Sequence, residues 1–340
     1  MTEEPEITDA VDLCTPDGRV LGASARGWSR RPLHRANLGG PNGRNKRWDY
    51  WAILAGDVVV SAVYANIDYF AFADVWWADL TTGESGGGAT FGDPAAYPFP
   101  DLVGGATLRA EGDGFALTLA DRDDGTRLTA EWADRTGAPA RLDVDIALPP
   151  GHESCNVVIP WSDDEFNFTS KHQARPAVGE LHVGDRRWRI GGPGADAWGV
   201  LDVGRGRWPA EIVWNWGGGA GRVGDHVVGL QFGGKWTAGT GFTENALIVD
   251  GRVAKIGREC AWDYDWDRPL SPWRVTDPGG QVDVVLTPRY DKHTVLGAAD
   301  DPRQTHQVFG TWAGYVVTDD GVRIEFDALQ GFAEEARQVW

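Results

Sequence analysis

The chain has 340 residues, with 42% hydrophobic, 24% charged, a net charge of −18 and 18 tryptophans. One core usually stops growing near ~250–300 residues, so two domains are expected. The acidic field repels phosphate backbones and excludes nucleic acid as a natural partner. No run approaches the ~20 apolar residues that span a membrane.

Residues 1–47 are polar and rich in Gly, Arg and Asn, and are expected to form a lead-in segment. Its basic patch holds Arg30, Arg31, Arg35, Arg44, Lys46 and Arg47, read first as part of a solvated lead-in and alternatively as one wall of a cleft for an acidic group. The acidic start, MTEEPEITDA, lacks the apolar core of a signal peptide, and Cys14, Cys155 and Cys260 are odd in number and far apart. Reduced thiols in a cytoplasmic protein are the expectation.

Strand character begins at Trp48. The segments 48–55, 57–67 and 69–80 are rich in β-branched and aromatic residues. Residues 81–105 read as a Gly- and Pro-rich loop. A hairpin follows, with its turn expected at Asp124-Gly125, then an alternating strand over 140–148. Further turns are expected at Gly184-Asp185, Asp250-Gly251 and Asp320-Gly321. The final stretch, GFAEEARQVW, reads as a short C-terminal helix. Strands joined by short turns, without crossover helices, predict an all-β protein of two antiparallel barrels or sandwiches. The expected domains are 48–174 and 175–340.

Several motifs fail on context. Gly192 to Ala197 fits GxGxxA, but no helix follows to receive phosphates. The histidines form no metal-spaced pair, so neither a metal nor a cofactor is expected. WDYDWD, residues 262–267, reads as aromatic side chains inward and acids outward.

The stretch from Trp198 to Gly251 concentrates the chemistry. It holds Trp198, Trp208, Trp214, Trp216 and Trp236 with Asp202, Arg205, Asn215, Glu244 and Asn245. Large rings near a few charged groups suit an apolar pocket with placed polar groups. Trp214 and Trp216 project from one strand face. Glu244 precedes a segment apolar on both faces, where a carboxylate is either paired or raised in pKa.

Lys46-Arg47-Trp48-Asp49-Tyr50-Trp51, Val158-Ile159-Pro160-Trp161, Thr169-Ser170-Lys171, Trp214-Asn215-Trp216 and Thr243-Glu244-Asn245-Ala246 together form a pattern. It resembles an uncharacterised bacterial family, a domain of unknown function of about this length. That family is similar at a distance to the two-barrel, lipocalin-like proteins that include carotenoid 1,2-hydratases, tocopherol cyclases and AttH proteins. In those relatives an Asp-His segment precedes a Trp-rich strand. Here Trp198 to Gly204 takes that place, with Asp202 matching the acid and Val203 standing where the histidine would be.

The resemblance implies protonation of an alkene followed by water addition or ring closure. A carboxylic acid in an apolar site keeps its proton near neutral pH, and indole faces stabilise a developing cation. Asp202 and Glu244 are the candidate acids. Lys171 and Arg205 are their expected charge partners, with Trp214, Asn215, Trp216 and Asn245 as further ligand contacts. The expected partner is an apolar small molecule. Two alternatives stand beside this lyase- or isomerase-type reading: a lipid- or isoprenoid-binding protein without chemistry, and a carbohydrate-active β protein.

Overall fold

The computed structural model describes residues 4–40, 43–298 and 301–340. Of the expected lead-in, residues 1–3 and 41–42 lie outside that set. The rest forms three short strands, β1 (Val11–Asp12), β2 (Trp28–Ser29) and β3 (His34–Arg35). Eight strands follow: β4 (Asn45–Ala55), β5 (Val58–Asn66), β6 (Ala71–Asp79), β7 (Ser85–Gly92), β8 (Leu108–Gly112), β9 (Phe115–Arg122), β10 (Gly125–Ala133) and β11 (Pro139–Ala147). Next come β12 (Cys155–Pro160), β13 (Phe166–Val183), β14 (Arg186–Ile190), β15 (Trp198–Arg207), β16 (Glu211–Val223) and β17 (His226–Gly234). The chain ends with β18 (Ala246–Val249), β19 (Arg252–Lys255), β20 (Ala261–Asp263), β21 (Trp273–Thr276), β22 (Val282–Ala298), β23 (Asp301–Val317) and β24 (Arg323–Val339). The helices among the described residues are two three-residue 3-10 turns, Ala23–Ala25 and Pro94–Ala96.

The first large sheet runs β7-β6-β5-β4-β15-β13-β11-β10-β9-β8 and curls into a nearly closed barrel. Inward side chains such as Trp51, Ile53, Val60, Leu128, Leu142 and Leu181 fill it. The second runs β19-β18-β17-β16-β24-β23-β22-β21-β20, a half-barrel with its own core of Leu230, Phe232, Trp273, Val284 and Trp312. Alternation along each strand supplies a second face, and these two second faces pack together. Trp76 stacks on Phe309 across the seam at 5.6 Å, and Tyr50 meets Trp216 edge-on at 5.5 Å.

The all-β expectation therefore describes the fold, but five local readings change. The stretch 81–105, expected as a loop, holds β7, which pairs with β6. The C-terminal stretch is strand, not helix. Ala, Glu and Arg favour helix only weakly, and β24 is hydrogen-bonded on both sides, to β16 and β23. The turn after β9 is Asp123-Asp124, because Arg122 pairs with Gly125. The position expected for a domain boundary, 174/175, falls inside β13, and membership of the large sheets changes between β15 and β16. That position is nonetheless a joint: Ala174 has φ +57°, and the β13–β15 register shifts between His172 and Arg175. The lead-in is not solvated, since Leu13, Leu21, Ala25 and Ala36 pack on Val158, Phe166 and Phe168.

Two of the expected turns match the local geometry. Gly184-Asp185 and Asp250-Gly251 are two-residue turns, and Asp250 and Gly251 both have positive φ, +50° and +78°. Cys14, Cys155 and Cys260 are all buried free thiols. Asp263 and Asp267 are exposed, while Tyr264 stacks on Trp273 at 3.9 Å.

A central strand exchanges its amides only with deep opening of the sheet. Amides of residues 330–336 in β24 are expected among the slowest to exchange in the chain. Deuterium uptake followed by mass spectrometry checks this, and fast exchange there, as for a frayed terminal helix, would contradict the strand.

Candidate active site

The seam between the sheets carries the site. On the barrel side, strand register aligns Lys171 with Asp202, Asp202 with Tyr50, Tyr50 with Val63, and Val63 with Asp74. On the half-barrel side it aligns Trp216 with Glu334, Glu334 with Gln307, and Gln307 with Lys292. Each row crosses its sheet as one rung, so distant sequence positions meet by pairing alone. The rungs touch where the Tyr50 hydroxyl donates to Gln307 Oε1 at 3.1 Å, and beside them Lys292 Nζ donates at 3.0 Å to Ser61 Oγ, two residues from Val63 on β5.

Lys171 is the hub. Its Nζ lies 2.8 Å from Asp202 Oδ1 and 3.0 Å from Glu244 Oε2, and 4.6 Å over the Trp216 ring. Burial alone would lower its pKa, but the charges of Asp202 and Glu244 outweigh that, and the net shift is upward. Asp202 also accepts from Trp48 Nε1 at 3.2 Å and Thr169 Oγ1 at 3.2 Å. Glu244 accepts from Trp236 Nε1 at 2.9 Å. Glu334 accepts from Trp214 Nε1 at 2.7 Å. Burial pushes both Glu244 and Glu334 up to about 7, against the pull of those N–H donors and the nearby lysines.

Two glycines make room for this arrangement. A Cβ on Gly204 would sit 2.0 Å from the Trp48 ring, and one on Gly233 would sit 2.2 Å from Glu244 Oε1. Each glycine is thus the seat of a site residue on a neighbouring strand or loop.

Aromatic rings complete the walls. Trp208 lies at the centre of a cluster, stacked on Trp236 at 5.6 Å and tilted or edge-on to Trp48, Trp161, Trp214 and Trp340. The cavity enclosed by these walls holds about 280 Å³. That is close to the lower end of small-molecule sites, ~300–1,000 Å³. Lys171, Asp202, Glu244 and Glu334 line it, with Trp48, Trp208, Trp214, Trp216, Trp236 and Trp340. Phe70, Leu296, Arg303 and Gln338 also line it. No group of three or more His, Cys, Asp or Glu able to hold a metal occurs among the described residues.

Five of the residues singled out from sequence, Lys171, Asp202, Trp214, Trp216 and Glu244, converge on this cavity. Three do not. Arg205 is three residues from Asp202 and so points to the other face of β15, where it pairs with Asp49 at 2.6 Å and lies 4.4 Å over Phe99. Asn215 faces away from Trp214 and Trp216 and donates to the Tyr264 hydroxyl and the Glu334 carbonyl. Asn245 ties Gly233 N–H to the Arg258 carbonyl. Asp202 and Trp214 lie on strands of different sheets rather than on adjacent strands, and face each other across the seam.

Glu334 escapes sequence reasoning because its segment reads as helix. Read as a strand, Phe332, Glu334, Ala336 and Gln338 share one face, and an acid between apolar neighbours is the signal. Trp48 and Thr169 lie in the quoted patterns but do not mark themselves as Asp202 donors.

The chain belongs to the family described as a domain of unknown function, DUF2804, whose pattern matches residues 4–340. Among curated proteins none matches. Solved structures of similar shape include the following three. Kievitone hydratase from Nectria haematococca has 13% identity and TM-score 0.46, with 99% of this chain and 97% of that one covered. CghA with Sch210972 has 12% identity and TM-score 0.44, covering 89% and 90%. A protein described as AttH from Nitrosomonas europaea has 13% identity and TM-score 0.46, covering 86% and 92%. No helix among the described residues is long and apolar enough to cross a membrane.

Two outcomes follow from the electrostatics. The folded protein holds the Glu334 proton to about 7, whereas the ordinary value is 4.5. The resulting stability is complete below the ordinary value and is lost as pH rises through about 7, on the order of 3 kcal/mol. Urea unfolding should therefore show a fall in stability between about pH 5 and 8 that is smaller in Glu334→Gln. Arg205→Ala should cost about 3–5 kcal/mol, because it strands the buried Asp49 carboxylate. A loss under ~1 kcal/mol, the size expected of a surface pair, would count against that structural role.

Proposed function

We propose that this protein takes an apolar small molecule into the seam cavity and protonates an alkene of that molecule, leading to hydration, isomerisation or ring closure. The observation that carries this reading is one cavity, walled by indole rings, holding two carboxyls pushed up to about 7 beside a Lys–Asp ion pair.

Glu334 is the favoured proton donor. Among the described residues its carboxyl has one indole N–H partner and no ion pair, and burial raises it to about 7, so it can hold its proton near neutral pH. Glu244 has the same raised value with the pull of Lys171 already in it, and its two oxygens are taken up by Lys171 Nζ at 3.0 Å and Trp236 Nε1 at 2.9 Å. Asp202 accepts from Lys171, Trp48 and Thr169, the arrangement of an acceptor rather than a donor. This moves the acid role from Asp202, the first candidate from sequence, toward Glu334.

In the step proposed, the Glu334 O–H proton goes to one alkene carbon. The C=C π pair forms the new C–H bond, and Glu334 is left as a carboxylate. The adjacent carbon becomes cationic and faces the indole rings, each able to contribute on the order of 0.5–2 kcal/mol. The cation then has three exits. Water adds and passes a proton to a site carboxylate; or a neighbouring C–H passes its proton to that carboxylate as a new C=C forms; or a second alkene of the same molecule attacks the cation to close a ring, and the new cation is quenched in one of the first two ways. Tyr50, donating to Gln307, closes the polar rung beneath Glu334.

Removing a general acid typically costs about 10²–10⁴-fold in rate. With an alkene substrate found by screening in deuterated water, Glu334→Gln should lose that much solvent-deuterium incorporation while binding the same compound within a few-fold. Full incorporation by Glu334→Gln would remove Glu334 as the acid. Binding without any incorporation by the unaltered protein would leave a carrier of apolar molecules instead.

A further inference from the structure

Two cations lie at one end of the cavity, far from the acid-bearing rungs: Arg303 lines it, and Lys46 lies just behind its Ile67 and Trp340 wall. Lys46 precedes Tyr50 by four residues on β4, and Arg303 precedes Gln307 by four on β23. Both therefore lie roughly 13 Å along their strands from the rungs, at ~3.3 Å per residue. They lie at the same end, since Trp48 and Trp214 stand between each cation and its rung and both rings pack toward Trp208.

Neither cation has a carboxylate within ion-pair distance among the described residues. Lys46 is 1% exposed. Its Nζ donates to the Ile67 carbonyl at 3.2 Å and otherwise lies over the rings of Tyr69 at 4.5 Å and Trp340 at 5.1 Å. An ammonium has three donors, so this one keeps unused N–H groups beside the wall formed by Ile67 and Trp340. Burial lowers Lys46 to about 8. Arg303 lines the cavity next to Leu296 and reaches the Val339 carbonyl at 3.5 Å. In a chain with 50 acidic and 32 basic residues, two cations at one cavity end without a direct carboxylate contact, Lys46 feeling among acids only the charge of Asp68 held on the Gly43 N–H, leave room for an anion from outside.

We infer that the molecule bound in this cavity is an amphiphile with an anionic end, a carboxylate or a group of similar charge, held between Lys46 and Arg303 with its apolar body reaching toward Glu334. The inference rests on the apolar-cavity reading above and adds the substrate class to it. The anion would supply the missing partner of a desolvated ammonium and take two N–H donors from the guanidinium. The Trp48 and Trp214 rings would bracket the chain between its head and the acid.

The test titrates the full-length protein at neutral pH with undecenoic acid and with its methyl ester, following tryptophan fluorescence. The acid should bind about tenfold or more tightly than the ester, a difference of ~1.4 kcal/mol. Arg303→Met should reduce that preference, and Lys46→Met combined with it should abolish the preference while leaving ester binding within a few-fold. Arg303 is half-buried on the cavity rim, so the single variant keeps the test usable if Lys46→Met fails to fold. Equal binding of acid and ester by the unaltered protein overturns the anionic end and leaves the apolar-cavity reading intact. So does a preference that survives in Arg303→Met and the double variant. No binding of either probe overturns both.

Discussion

The structure depends on one buried ammonium. Lys171 comes from the barrel, as does Asp202, while Glu244 approaches from the half-barrel side, and Nζ lies within 3.0 Å of both carboxylates. Isolated charges in such a place would cost several kcal/mol each. Grouped, they compensate each other, and the indole donors of Trp48 and Trp236 satisfy the remaining oxygens. The seam can therefore be aromatic and buried without leaving Lys171 unpaired. Glu334, one strand away from Trp216 and outside that ion group, is raised to about 7 by its burial.

Strand alternation turns this local chemistry into architecture. Each sheet uses one set of alternate residues for its own core and the other set for the seam. A residue three positions along a strand belongs to the other job, which separates Arg205 from Asp202. Two adjacent in-register rungs suffice to bring together groups from β4, β13, β15, β23 and β24. The same alternation sets the cations apart, because Lys46 and Arg303 stay on the seam face but two alternate positions nearer the cavity end.

The packing also explains the composition. Tryptophan is abundant because three separate places need large rings: the barrel core around Trp51 and Trp132, the half-barrel core around Trp273 and Trp312, and the seam cluster around Trp208. Some glycines are the complement of those rings. Gly204 under Trp48 and Gly218 against Phe332 occupy places where a Cβ would fall inside a side chain. The polar lead-in, with its basic patch, packs over the barrel rather than standing apart, and Arg44 and Arg30 reach Glu165 and Glu153.

Period-two patterning, turn residues and the lack of helix-length amphipathic runs were enough, from sequence alone, to establish an all-β chain of two barrel-like sheets. They also drew attention to the Trp-rich stretch that holds Asp202, Trp214, Trp216 and Glu244, because burial and turn chemistry are local properties written into consecutive residues. Tertiary structure decided which of the polar residues in that stretch face one another. Asn215 and Asn245 look like site residues by neighbourhood, yet pairing turns them to backbone groups. Glu334 looks like part of a helix, yet two flanking strands hold it extended and aim it into the cavity. Propensity at a chain end is worth a few tenths of a kcal/mol per residue, and a ladder on both sides outweighs it. The rungs themselves join positions more than a hundred residues apart, a relation set by strand register and invisible to any local reading.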